Sequence, residues 1–221
     1  GVPRVVATDA AFQPDPAALE SALTERTRAV IVNSPNNPTG VVYSDEALEA
    51  IGDVLGLAEA QFGTTIALIS DEPYASLTYD GVETPQVFPY HPASILVTSF
   101  SKDLSLAGER IGDMAVNPDY PDAEGLVDGL IYCTRTLGFV NAPALMQRIV
   151  PAILGSSVDV EWYRRKRDYV WDRLTAMGYR MVRPRGAFFA FPTSPIDDDV
   201  AFVQSLLEWN VLVTPGTGFG R

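Results

Sequence analysis

The first half of the chain alternates between short apolar runs and amphipathic segments. Four runs rich in Val, Ile, Leu and Ala predict β-strands, at residues 29–33, 65–70, 94–98 and 110–116. Residues 44–62 carry apolar side chains at helical spacing behind an acidic first turn, which predicts a long helix. A shorter helix is predicted at 17–23, after Asp15-Pro16. Strands that alternate with helices imply an α/β fold with a mostly parallel sheet covered by helices.

After residue 121 the pattern changes from strands to helices. The longest helix is predicted at 159–177, where Gly178 supplies the stop signal. Two short strands at 180–182 and 187–191 and a helix at 198–209 follow. We therefore predict two domains: residues 1–157 are part of a large α/β domain, and residues 158–221 are part of a smaller α+β C-terminal domain that starts with the long connecting helix.

Strand-like composition also occurs close to both ends of the chain, at residues 5–8 and 211–216. The second of these runs leads into a glycine-rich loop. We therefore expect the chain to be a segment of a longer fold.

Composition narrows the classes of partner. The 221 residues have a formal net charge of −12, which disfavours nucleic acid and anionic membrane surfaces as partners. Cys133 is the only cysteine, which excludes an internal disulfide and a multi-cysteine metal site within these residues. His91 is the only histidine, which disfavours zinc sites and histidine-based catalytic triads. No apolar stretch approaches the roughly 20 residues that a membrane span needs, and no signal-like leader begins the chain, so we expect a cytoplasmic protein, without a metal site.

Polar residues that the apolar pattern does not explain follow three of the predicted strands, where open α/β sheets bind ligands. Asn37 lies in the first loop, which is otherwise typical of a rigid turn because of its Asn-Pro and Thr-Gly pairs. Asp71 and Tyr74 lie in the second loop. A carboxylate there can pair with a protonated pyridine nitrogen, and a phenol can bond to the ring oxygen or the imine of the same ligand. A helix cap and an aromatic at the edge of the core are the alternatives for these two residues.

The third loop contains the lysine. Ser99, Ser101 and Lys102 close the run at 94–98, and Arg110 follows them. A lysine amine forms Schiff bases with aldehydes, whereas hydroxyls and a guanidinium bind phosphate through charge-assisted hydrogen bonds. The set predicts pyridoxal 5′-phosphate bound to Lys102 as a Schiff base. An exposed lysine beside an N-capping serine is the alternative.

Three motifs in this order carry a family resemblance. They are Asn37-Pro38-Thr39-Gly40, then Asp71-Glu72-Pro73-Tyr74, then Ser99-Phe100-Ser101-Lys102 with Gly108-Glu109-Arg110. Together they resemble the motifs of the class I/II aminotransferases, the fold-type I pyridoxal phosphate enzymes typified by aspartate aminotransferase. The resemblance extends to Pro184-Arg185-Gly186-Ala187-Phe188-Phe189 and to the late Pro215-Gly216 loop, so that it covers essentially the whole chain.

The resemblance implies a role for each residue. Asp71 would pair with the pyridine nitrogen, Asn37 and Tyr74 would bond the ring oxygen, and Lys102 would form the Schiff base and transfer the substrate proton. Ser99, Ser101 and Arg110 would bind the phosphate. The implied activity transfers an amino group between an amino acid and a 2-oxo acid, in a homodimer. In the family, the arginine that binds the substrate carboxylate comes later than Arg221, so that arginine and the aromatic that stacks on the cofactor are expected outside this chain.

Other functions use the same residues. A C–S lyase or a decarboxylase of this fold could employ all of them, and product analysis separates these reactions from transamination. A non-catalytic aminotransferase-like domain of a DNA-binding regulator would require a helix-turn-helix, which the acidic sequence does not show. A purely structural scaffold would leave three chemically complementary loops as coincidence.

Overall fold

The computed structural model describes residues 1–220, and Arg221 lies outside the described residues. Four strands form one sheet: β1 (Ala29–Asn33), β2 (Ala67–Asp71), β3 (Ser94–Ser99) and β4 (Gly112–Val116). The helices are α1 (Pro16–Ala22), α2 (Asp45–Phe62), α3 (Phe100–Asp103), α4 (Ala123–Thr136), α5 (Ala144–Ile153), α6 (Val160–Ala176) and α7 (Asp199–Leu207). Short 3-10 helices lie at Ala107–Glu109 and Gly216–Phe219.

The sheet has the order β1-β2-β3-β4, and its first two pairings are parallel, as predicted. Asn33 pairs with Asp71 in the register, and Asp71 pairs with Val97. The carboxyl ends of β1, β2 and β3 therefore meet at one edge of the sheet. β4 is antiparallel to β3, so the sheet is mixed.

The main hydrophobic core lies between the sheet and α2. Ile51 and Leu55 of α2 are fully buried there, together with Leu68 of β2. The Ser44 hydroxyl caps the start of α2, and Gly63 ends the helix in the left-handed conformation. Alternate residues of a strand face opposite sides of the sheet, and Ile31, which faces away from this core, remains 71% exposed.

The prediction of strands at 180–182 and 187–191 is wrong. The backbone of this segment bonds to two loops of the preceding half instead of forming a ladder: the Arg185 N–H donates to the Gly40 carbonyl at 2.7 Å, and the Ala187 N–H donates to Leu77 at 2.8 Å. A single isolated bridge joins Gly186 to Thr78. The pattern of apolar residues predicts that the backbone is extended, but it does not predict which groups form hydrogen bonds with that backbone.

Three further predicted strands differ from the structure. The run at 5–8 forms one isolated bridge, between Thr8 and Pro14, and the run at 211–216 contains no strand. β4 begins at Gly112 instead of residue 110, because Arg110 has a φ of 51°, in the left-handed region where a strand cannot continue. Within residues 1–220, no helix has both the length and the apolar character needed to cross a membrane.

Candidate active site

The amide of Asn33, at the end of β1, organises the edge where the three parallel strands end. Its Nδ2 donates to the Asp71 backbone carbonyl at 2.9 Å and to the Asp71 carboxylate at 3.1 Å. Its Oδ1 accepts a hydrogen bond of 2.8 Å from the Asn37 N–H. Asn33 therefore links the first two polar loops, which the register of β1 and β2 already places side by side.

The next residues of the first loop are held by Asn36. Its Oδ1 accepts hydrogen bonds from the Thr39 hydroxyl at 2.7 Å and from the Thr39 N–H at 3.2 Å. Its Nδ2 donates to the Asn33 carbonyl at 3.2 Å. These bonds order the loop locally while the Asn37 side chain stays exposed. The turn interpretation of the loop is correct in its geometry, and the Asn37 side chain in this turn remains exposed.

Asp71 and Tyr74 lie in a partly dry environment. Burial raises the pKa of the Asp71 carboxyl, and the hydrogen bond from Asn33 opposes the rise. The Tyr74 ring is 4% exposed. Burial and the nearby Asp71 charge raise the pKa of the Tyr74 phenol, against a hydrogen bond from the Asn37 amide. Asn37, Asp71 and Tyr74 are thus brought together, with Tyr74 kept as a neutral phenol.

The lysine follows β3 in the single turn of α3. The Ser99 hydroxyl accepts a hydrogen bond from the Ser101 N–H at 3.2 Å and donates to the Ser101 hydroxyl at 2.8 Å. Ser99 is therefore the N-cap of α3, as the alternative interpretation of this segment predicted. Lys102 itself is half-buried, and its Nζ lies 5.7 Å from the centre of the Phe188 ring.

Phe188 connects the lysine to the tyrosine. Tyr74 packs edge-to-face on Phe188 and on Phe189, with ring centres 5.4 Å apart in each pair. Phe188 also stacks on Tyr163 of α6 at 5.8 Å. An aromatic wall from the C-terminal part of the chain thus lies against both Lys102 and Tyr74.

Arg110 lies two residues before β4, whose first residue, Gly112, pairs with Ser99 in the register. Its side chain is exposed, and its Nη1 donates to the Ala107 carbonyl at 3.2 Å. Its other guanidinium nitrogens are free of protein hydrogen bonds in the described part of the chain. Arg110 therefore lies close in the chain to the residue that pairs with Ser99, and its guanidinium has donors available for an anion.

Sequence reasoning missed three residues of this region. Asn33 had a detectable signal, because an amide closes an otherwise apolar strand. Asp103 follows the lysine, and its carbonyl accepts a hydrogen bond from the Val158 N–H at 2.8 Å, which ties the lysine turn to the segment before α6. Phe188 had no local signal as a neighbour of Lys102, because the contact joins residues far apart in the sequence.

The chain is an α/β protein in which an amide, a carboxylate with a phenol, and a lysine follow the carboxyl ends of three parallel strands of a mixed sheet. The chain belongs to the class I and II aminotransferase family, whose model matches residues 1–221.

Individual relatives agree with this assignment. The chain is 37% identical over 215 residues to the aspartate/prephenate aminotransferase of Thermus thermophilus, covering 94% of this chain and 53% of that protein. It is 34% identical over 224 residues to the alanine aminotransferase of Mycobacterium tuberculosis, covering 94% and 50%. The crystal structure of an amino transferase from Eubacterium rectale superposes with a TM-score of 0.91 at 38% identity, over 95% of this chain and 53% of that one. The chain spans about half the length of the curated relatives it matches.

Proposed function

We propose that this chain carries the cofactor site of a pyridoxal phosphate-dependent aminotransferase, which moves an amino group between an amino acid and a 2-oxo acid. One observation carries the proposal. The carboxyl ends of β1, β2 and β3 bring an amide, a carboxylate with a phenol, and a lysine to one edge of the sheet, in a chain of the aminotransferase family.

The donor set fits pyridoxal phosphate group by group. Lys102 offers an amine for the aldehyde, and Asp71 an acceptor for the pyridine N–H. Asn37 and Tyr74, which already lie together, offer donors for the ring oxygen. The Ser101 hydroxyl, its partner Ser99 and the guanidinium of Arg110 offer donors for the phosphate. When bound, the cofactor supplies an electron-withdrawing pyridinium ring that stabilises negative charge at the substrate's α-carbon.

The chain's own residues prepare this chemistry by placing protons. The carboxylate of Asp71 would accept a hydrogen bond from the protonated pyridine nitrogen, and the partial burial that raises the pKa of this carboxyl also limits the water that competes for that bond. The raised pKa of Tyr74 keeps its hydroxyl protonated as a hydrogen-bond donor. Lys102 Nζ, when not covalently engaged, accepts the proton from the α-carbon of the substrate. The Phe188 ring beside this amine limits the access of water from one side.

We also propose the larger organisation. Residues 1–157 would belong to the large domain and 158–221 to the small domain, docked through the bonds from Arg185 and Ala187 to the preceding half. Exposed apolar side chains on α4 and α5, among them Tyr132 and Leu145, support a homodimer. We further propose a cytoplasmic enzyme acting on small amino acids and 2-oxo acids, and the charge of −12 disfavours nucleic acid and anionic membrane surfaces as partners.

Covalent trapping tests the proposal, because the chain contains two lysines, Lys102 and Lys166. The full-length protein is loaded with pyridoxal phosphate, reduced with borohydride, and digested for mass spectrometry. In the wild type we expect the label on Lys102. In Lys102→Ala we expect no label on residues 1–221, and in the matched control Lys166→Ala we expect Lys102 to be labelled as in the wild type.

Turnover is then measured with a panel of amino acids and a 2-oxo acid acceptor. Lys102→Ala should lose transamination, whereas Lys166→Ala should retain it. A label on Lys166 instead of Lys102, or normal turnover by Lys102→Ala, would contradict the assigned role. Release of ammonia or carbon dioxide in place of paired amino-acid and 2-oxo-acid products would assign a lyase or a decarboxylase.

A further inference from the structure

A carboxylate outside the candidate cofactor set follows the lysine directly. Asp103 is half-buried, and burial raises the pKa of its carboxyl, with a further rise from the nearby Asp113 charge. A carboxyl whose pKa is raised by folding lowers the stability of the protein at neutral pH, where it is ionised. Ionisable groups that are kept at such a cost are concentrated at functional sites, and Asp103 lies next to Lys102.

Asp103 joins three segments of the chain through its hydrogen bonds. Its Oδ1 accepts a bond of 2.9 Å from the Leu104 N–H, within the lysine turn. Its carboxylate also accepts a hydrogen bond from the hydroxyl of Ser76, which lies two residues after Tyr74 in the second polar loop. Its backbone carbonyl accepts the 2.8 Å bond from the Val158 N–H. The lysine turn, the second polar loop and the segment before α6 therefore meet at this one residue.

These bonds complete a ring of contacts around the amine. Lys102 Nζ lies 5.7 Å from the centre of the Phe188 ring, and Phe188 stacks on Tyr163 of α6. α6 begins two residues after Val158, whose N–H is bonded to Asp103. The position of the amine relative to the Phe188 ring thus depends on two connections that meet in α6, and Asp103 supplies one of them.

We propose that Asp103 is a positioning residue for Lys102: its carboxylate and its carbonyl hold the lysine turn against the second polar loop and the segment before α6, so that the amine stays beside Phe188. The inference rests on the proposed function where it concerns proton transfer, because the amine has to reach the α-carbon of the substrate. Such a reaction is sensitive to placement, since a displacement of about 1 Å can lower a rate by about 100-fold.

Substitutions separate the hydrogen bonds of Asp103 from its charge. Asp103→Ala removes both, whereas Asp103→Asn removes the charge and keeps an oxygen that can accept from the Leu104 N–H and the Ser76 hydroxyl. Ser76→Ala removes one of these bonds at its donor, in an exposed position where the change is mild. Asp113→Ala is the matched control, because burial also raises the pKa of Asp113 while the bonds described above belong to Asp103.

Lysine labelling of the cofactor-free full-length protein tests the placement of the amine without turnover. A trace of acetic anhydride acetylates accessible amines, and mass spectrometry gives the yield at Lys102 relative to that at Lys166. Loss of the hydrogen bonds lengthens the time for which the turn is open, so this ratio should rise about fivefold in Asp103→Ala and about threefold in Ser76→Ala. It should stay within about twofold of the wild type in Asp103→Asn and Asp113→Ala.

Two results of the labelling would overturn the proposal. An unchanged ratio in Asp103→Ala or in Ser76→Ala would show that these bonds do not hold the amine in place. A rise in Asp103→Asn as large as that in Asp103→Ala would assign the effect to the negative charge and not to the position of the turn.

Turnover of the cofactor-loaded protein is the second test, with a substrate deuterated at its α-carbon. We expect kcat of Asp103→Ala to fall by at least about tenfold while KM stays within about twofold, because the amine is misplaced for proton transfer but substrate binding is unchanged. The deuterium isotope effect on kcat should rise, and Asp103→Asn should restore both values. A lower kcat with the isotope effect of the wild type would indicate a smaller active fraction and would contradict the positioning role.

The two tests also separate this proposal from the proposed function. If the wild type transaminates no amino acid but the labelling ratio rises in Asp103→Ala and Ser76→Ala, the positioning of Lys102 stands and the proposed function fails. If the wild type transaminates and the ratio does not change, the proposed function stands and Asp103 is not a positioning residue.

Discussion

Replacing Arg167 by methionine should destabilise the protein by about 3 kcal/mol. The side chain of Arg167 is 5% exposed and lies on the face of α6 that packs against the preceding half of the chain. Its Nη2 donates to both oxygens of Asp80 at 2.9 and 3.0 Å, and its Nε donates to Asp168 at 2.7 Å. Its Nη1 donates to the Pro184 carbonyl. The guanidinium thus ties α6 to two loops at once.

The magnitude follows from what the substitution leaves behind. Removing one partner of a buried ion pair costs about 3–5 kcal/mol, because the remaining charges lose their compensation. Asp80 and Asp168 keep 32% and 27% of their side-chain surface exposed, so water restores part of their solvation. Methionine also refills part of the apolar volume, including the contact of the side chain with the Tyr79 ring. Both effects place the expected loss at the lower end of that range.

Urea denaturation measures this loss. With a slope of about 3 kcal/mol per molar urea, the midpoint of Arg167→Met should fall by about 1 M. Arg164→Met is the matched control on the same helix, because Arg164 pairs with Glu161 and Asp168 but its side chain is 36% exposed. We expect the control to change the midpoint far less, since exposed ion pairs contribute little. Equal shifts in the two variants would refute the assignment of Arg167 as the buried tie.

Two further predictions concern packing and protonation. Gly52→Ala should destabilise the protein despite the better helix propensity of alanine, because an added Cβ would lie 2.1 Å from the Tyr90 carbonyl oxygen. Gly56→Ala, which has open space around it, should instead stabilise the protein by up to about 1 kcal/mol. Thermal unfolding of both variants checks that the two changes in stability have opposite signs. Asp71→Asn should raise the stability of the cofactor-free protein at neutral pH. The pKa of the Asp71 carboxyl is higher in the folded state than in the unfolded state, so the protein loses stability as the pH rises from the lower value through the higher one. The gain in the free energy of unfolding of the variant should disappear at a pH below both pKa values. A gain that does not vary with pH would contradict the burial of the ionised Asp71 as its cause.

Much of the fold could be predicted from local pattern. The apolar runs that became β1, β2 and β3 differ from the predicted strands by no more than two residues at either end, and α2 and α6 lie where helical periodicity placed them. These elements form because burial of an apolar face and a capped terminus are properties of a short stretch of sequence. The polar residues after the strands could be found in the same way, because they interrupt a pattern that burial alone would continue.

What the sequence alone determined is therefore the order of strands and helices, the three polar loops and the chemical types that they carry. The tertiary structure decided the rest: the Asn33 link between two loops, the packing of Phe188 against Tyr74 and Lys102, and the loop conformation at 187–191 in place of a strand. Each of these depends on contacts between segments that are distant in the chain, and periodicity reports a residue's own burial but not the identity of the group that it meets.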